Sequence, residues 1–142
     1  MRYLLLLITC ITCSISTPAQ ILQNPSQAFA AAAQSGKKIL LVFSGSDWCV
    51  PCIQFDKKVL ADSTFLSFAN DHLILLEADF PQRKKIPSPL RQQYDSLAAA
   101  FNPSGAFPQV VLLSPEKKLM ANVPYRQQSP EGFIAALKQF MQ

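Results

Sequence analysis

The sequence predicts an α/β domain in which a mixed central sheet is sandwiched between helices. Three observations carry this. The run Ile39–Phe43 is continuously apolar rather than alternating, which marks a strand covered on both faces. Segments with helical spacing separate the first two strands, so those strands should be parallel, with a helical crossover. The last two strands are separated only by "PEKK", which predicts an antiparallel hairpin. The chain has 142 residues, is 49% hydrophobic and carries a net charge of +4. That composition suits one domain with its own core, and excludes both a disordered chain and a multi-span membrane protein.

The N-terminal segment is set apart. "MRYLLLLITCITCSISTPAQ" has one basic residue, Arg2, then an apolar run to Cys13, then small residues. It reads as a secretory signal over residues 1–19, cut after Ala19, with Thr17 and Ala19 meeting the small-residue rule. The domain is then 20–142, and no stable membrane insertion is expected after cleavage. A retained segment would be an anchor, although the run is short for a bilayer. Lipidation at Cys10 or Cys13 is a further anchoring route, but the preceding Thr9 and Thr12 fit a lipobox poorly. The expected location is periplasmic or secreted, or membrane-anchored if the segment is kept or lipidated.

Each element then follows in order. In "NPSQAFAAAAQSG", Asn24 caps a helix, Pro25 opens it and Gly36 ends it. "KILLVFS" is the buried strand. A helix begins beside Cys49 and runs toward Leu60, and "DSTFLSFAND" adds a second piece capped by Asp62 or Ser63. "HLILLEADF" is a strand begun by His72. "PQRKKIPS" is a loop, with Arg83–Lys85 read as solvated and partner docking as the lesser alternative. Ser88-Pro89 opens a helix ending near Phe101. "FPQVVLLS" and "LMANVPY" form the hairpin, and Ser129-Pro130 opens the last helix, with Phe133, Ile134, Leu137, Phe140 and Met141 on its apolar face. No internal repeat or linker is visible.

Signal removal takes Cys10 and Cys13 away, leaving Cys49 and Cys52, and the loss of Arg2 lowers the charge from +4 to +3. So mild an excess does not argue for nucleic acid. Structural zinc needs four ligands, and the mature chain offers two cysteines and one histidine, His72. Covalent haem needs a histidine after the second cysteine, where Ile53 stands. Copper(I) on two thiolates stays open, without a flanking Met or His to strengthen it. A redox couple fits better. A thiol at a helix start meets unpaired N–H groups and the positive end of the dipole, both of which favour thiolate. Cys49 is therefore expected to be the exposed nucleophile, and Cys52, one turn on, the more buried resolving thiol.

Together, the buried "ILLVF", "DWCVPC" opening a helix, and "GAFPQVVLL" resemble the thioredoxin superfamily over Pro25 to Met141. The closer likeness is to secreted bacterial thioredoxin-like proteins carrying F-S/T-G-S-D-W-C, with looser similarity to DsbD C-terminal domains and a likeness of "WCVPC" to TlpA-type reductases. The resemblance implies a thioredoxin fold and thiol:disulfide oxidoreductase activity, with Cys49 and Cys52 catalytic. It implies a cis proline at Pro108 facing the cysteines, with Phe107 and Trp48 on the substrate side. It implies protein thiols and disulfides as partners, a membrane thiol electron donor, and no separate cofactor. The acid that many thioredoxins carry six residues before the first cysteine is Phe43 here. Glu77, acting through water, is the candidate proton acceptor for Cys52, against a solvated strand end. Asp47 is expected to be exposed. The alternatives are a redox-inert or metal-carrying binding module, and a disulfide oxidase or isomerase. Hydrolase chemistry has no support, because no triad spacing appears.

Overall fold

The computed structural model describes residues 19–142. The signal-peptide and lipidation readings rest on residues that lie outside the described ones, Ala19 excepted. The elements are β1 (Ile21–Leu22), α1 (Pro25–Ser35), β2 (Lys38–Ser44), α2 (Val50–Phe55), a π-helical turn (Asp56–Leu60), α3 (Ser63–His72), β3 (Leu73–Asp79), α4 (Ser88–Phe101), β4 (Gln109–Leu113), β5 (Leu119–Asn122) and α5 (Pro130–Phe140). The sheet order is β1-β3-β2-β4-β5. β1, β3 and β2 are parallel; β4 runs antiparallel to β2, and β5 antiparallel to β4.

Local chemistry sets the helix ends. The Asn24 side chain accepts the Gln27 N–H at 3.1 Å, and Gly36 closes α1 at φ 70°, where a side chain would be strained. Asp62 caps α3 by accepting the N–H groups of Thr64 and Phe65. Ser129 caps α5 by accepting the Gly132 N–H. His72 closes α3 rather than opening β3, because the helix ladder runs on to it before the chain extends at Leu73. On α5, Phe133, Ile134 and Leu137 are buried, whereas Phe140 and Met141 lie at the edge of the packed face.

The pleat sends alternate strand residues to two separate cores. On one face Leu40, Val42, Leu75 and Leu112 pack against Phe55, Val59, Phe65 and Phe133 from α2, the π turn, α3 and α5. On the other, Ile39, Leu41, Phe43, Leu76 and Val111 pack against Ala28 and Ala32 of α1 and Tyr94 of α4. Every residue of β2 from Ile39 to Phe43 is therefore buried, which is why that run reads as uniformly apolar. Each such Leu or Phe contributes about 1.5–3 kcal/mol by leaving water.

Candidate active site

β2 ends at Ser44, and five residues later the chain enters α2 with Cys49 as its N-cap. The Cys49 Sγ accepts the Cys52 N–H at 3.3 Å, the bond that Ser or Asp makes at other helix starts. Val50 and Pro51 occupy the first turn, where the missing proline N–H costs nothing. The two cysteines are joined in a disulfide, with Cα atoms 5.2 Å apart. Cys49 keeps 5% of its surface and Cys52 2%. Both are buried, so Cys49 lacks the exposure expected of it. Its sulfur is turned to the helix start and bonded to Cys52, so what stands out to solvent beside it is Trp48 and Val50.

The approach to Cys49 is stitched to the end of β3 and the segment after it. Ser46 donates its N–H and its hydroxyl to the two oxygens of Asp79, at 2.8 and 2.6 Å. The Asp47 carboxylate accepts the N–H groups of Gln82 and Arg83, at 2.9 and 2.8 Å. Trp48 donates its indole N–H to the Phe80 carbonyl at 2.8 Å. Phe80 in turn donates its N–H to Ser44. Asp47 is thus half-buried rather than exposed, because its oxygens serve as backbone acceptors. The Gln82 N–H first, and then the Arg83 N–H and charge, hold its carboxyl below the usual range.

The Phe107–Pro108 bond is cis, as the resemblance implied. The Phe107 ring meets Trp48 edge-on, with centroids 5.3 Å apart, and Phe80 at 5.7 Å. Trp48, Phe107 and Phe80 thus form one aromatic cluster beside Cys49.

Beneath the disulfide lies a cavity of about 290 Å³, lined by Ser44, Ser46, Cys52, Ile53, Asp56, Lys57 and Glu77. Glu77 reaches it because it lies opposite Val42 in the β2–β3 register, on the face that packs against α2. Counting six residues back from Cys49 lands on Phe43, which faces the other core. Burial pushes the Glu77 carboxyl up, the Asp79 and Asp56 charges add to this, and hydrogen bonds from Ser44 and Gln23 oppose it. The solvated-strand-end reading of Glu77 therefore gives way to a desolvated carboxyl sharing a cavity with Cys52. Among the described residues no group of three or more His, Cys, Asp or Glu is placed to hold a metal ion. Among those same described residues no helix is long and apolar enough to cross a membrane.

A family model described as thioredoxin-like matches residues 20–115. The chain belongs to the thioredoxin-like family. This thioredoxin-like chain is 33% identical over 116 residues to the disulfide bond reductase DsbH of Chlamydia pneumoniae, covering 82% of itself and 69% of that protein. It is 30% identical over 80 residues to the thioredoxin-related protein DsbJ of the same organism, covering 56% of itself but only 23% of DsbJ. A solved DsbH oxidoreductase structure superposes with a TM-score of 0.81 at 30% identity, over 92% of this chain and 90% of that one. The oxidised C-terminal domain of Neisseria meningitidis DsbD shares the fold, with a TM-score of 0.58 at 13% identity over 84% and 98% of the two chains.

Sequence reasoning named Asp79 with Glu77 as a nearby strand acid and quoted Gly45 and Ser46 within the family motif, but missed Ser46 as the partner of Asp79, Gly45 as the seat of Trp48, and Phe80 altogether. The signal was faint: a Ser-Gly-Ser-Asp stretch offers side chains that bond to backbone, but not the partner.

Proposed function

We propose that this chain is an exported thiol:disulfide oxidoreductase that reduces protein disulfides. The observation that carries the reading is Cys49 as the N-cap of α2, its sulfur accepting the Cys52 N–H and bonded to the Cys52 sulfur. In the reduced pair, the same N–H and the helix start favour a Cys49 thiolate. That thiolate attacks one sulfur of a partner disulfide; a mixed disulfide forms and the partner's other sulfur leaves as thiolate. Cys52, deprotonated, then attacks the Cys49 sulfur and releases the second partner thiolate. The partner gains two electrons and the Cys49–Cys52 pair is left oxidised.

Cys52 needs a base, because 2% exposure leaves it little solvent. Glu77 is proposed to take its proton through water in the shared cavity. A carboxyl whose pKa burial has raised is better matched to a thiol than an ordinary one. Trp48 and Phe107 form the apolar rim against which a partner segment would lie. Pro108 is proposed as the platform on the substrate side. The pair must be re-reduced by a thiol donor, and a membrane thiol carrier outside the cytoplasm suits an exported protein. The name of the similar DsbH, a disulfide bond reductase, supports this direction of electron flow.

The deciding experiment is equilibration of Cys49–Cys52 against glutathione. A potential near about −270 mV supports a reductase, and one near about −120 mV would make the chain an oxidase. A pair that never equilibrates would leave a redox-inert module.

A further inference from the structure

The loop after β3 carries Arg83, Lys84 and Lys85, all exposed, and nothing in the redox chemistry uses them. The fold does not leave this loop free. Its first part is held to the residues just before Cys49 by the bonds from Gln82 and Arg83 to Asp47 and from Trp48 to the Phe80 carbonyl. Its far end is pinned by Ile86, which packs on the core shared by α1 and α4. The backbone at Gln82 and Arg83 is thus held to Asp47, two residues before Cys49, and Lys84 and Lys85 follow directly in the chain. Among the described residues none of the three forms a close ion pair, though the Arg83 charge acts on Asp47; the pair that does form, Arg91–Asp95, lies on α4.

The acids on this side are placed differently. Asp47 and Asp79 are half-buried, their oxygens turned to N–H and hydroxyl donors of the two segments. Outward stand the apolar Trp48 and Val50, 38% and 62% exposed, and the exposed basic triplet belongs to the loop bonded to Asp47 and Trp48. An apolar centre with a charged rim is the anatomy of a protein-binding face, in which the rim sets partner choice and association rate.

We infer that Arg83, Lys84 and Lys85 form an electrostatic docking rim that selects protein disulfides flanked by acidic residues. This rests on the oxidoreductase reading given above. A polypeptide is the fitting partner because a disulfide offered to Cys49 must pass beside the loop. An anionic membrane has no use for that coupling, and three basic residues make a weak membrane anchor.

The test uses the protein Gln20–Gln142 and two synthetic disulfide peptides of one core sequence, flanked by aspartates or by lysines. A neutral small disulfide, hydroxyethyl disulfide, reports the redox centre alone. At low ionic strength kcat/KM should favour the acidic peptide by about tenfold, within the reach of electrostatic steering. The preference should collapse near 1 M salt, where the screening length falls to about 3 Å. In the double variant Lys84→Glu, Lys85→Glu the preference should vanish or invert while the neutral compound is still reduced. Equal use of both peptides by a protein that reduces the neutral compound would overturn the inference and leave the oxidoreductase reading standing. Failure to reduce any of the three would overturn both. Lysine-dependent binding to vesicles of phosphatidylglycerol and phosphatidylcholine, without any peptide preference, would assign the triplet to a membrane instead.

Discussion

The indole of Trp48 lies against the backbone of Gly45, so closely that a Cβ on Gly45 would overlap the ring. The contact explains a glycine that needs no unusual φ. Gly45 also accepts the N–H groups of Trp48 and Cys49, at 3.2 and 2.9 Å, so the same residue folds the turn and seats the ring. With the ring seated, its N–H reaches Phe80 and its edge meets Phe107. The apolar surface beside Cys49 therefore depends on the absence of one methyl group.

Gly45→Ala is expected to displace Trp48 and break its bond to Phe80. The cost should be about 1–3 kcal/mol, the usual range for overpacking a fitted site. Tryptophan fluorescence reads this directly, since Trp48 is the single tryptophan. The emission should shift to the red as the ring moves into water. An unchanged spectrum and unchanged unfolding midpoint would show that the turn absorbs the methyl.

The roles of the two sulfurs separate by trapping. Cys52→Ser should accumulate a mixed disulfide between Cys49 and partner proteins, whereas Cys49→Ser should accumulate little. Alkylation of the reduced protein against pH should give Cys49 a pKa below the free value of about 8.5. Reversed trapping would exchange the assignments.

Glu77 leaves a signature in stability as well as in rate. Its folded pKa is raised above the ordinary 4.5, so between those values the native state holds a proton that the unfolded chain has lost. Stability contributed by this group is complete below pH 4.5 and declines as pH rises through the folded pKa. Glu77→Gln should flatten that decline, measured as urea midpoints across pH. It should also slow release of partner from the mixed disulfide by about 10²-fold, at the lower end of general acid–base catalysis, while leaving the first attack by Cys49 unchanged. A change in both steps, or in neither, would remove Glu77 as the proton acceptor.

Asp47→Ala should loosen the segment after β3. Amide hydrogen exchange at Gln82 and Arg83 should speed up, because both N–H groups lose their acceptor. The lowered Asp47 pKa works in the opposite sense to that of Glu77. Its contribution is present above the ordinary 3.8 and is lost as pH falls through the folded value. The exchange difference between the two proteins should therefore shrink in acid, and a difference that persists there would show that charge plays no part in the hold.

The features legible in the chain before folding are local. The Asn24 cap, the Gly36 stop, the buried run of β2 and the helix beginning at Cys49 all depend on residues within a turn or two of one another. So does the Cys49–Cys52 spacing, and with it the kind of chemistry. Pairing between distant segments came from packing. The short strand Ile21–Leu22 has no pattern of its own and exists because β3 offers it an edge. The antiparallel seating of β4 on β2 depends on both cores being filled at once. Glu77 reaches the cavity under Cys52 only because it lies opposite Val42, a register set by burial along the whole strand pair. The bonds that join Ser46, Asp47 and Trp48 to the end of β3 and the segment after it span more than thirty residues of chain. Hydrogen-bonding side chains announce that they need partners, but not which ones; the choice is made when two strands pack into register and bring their ends together.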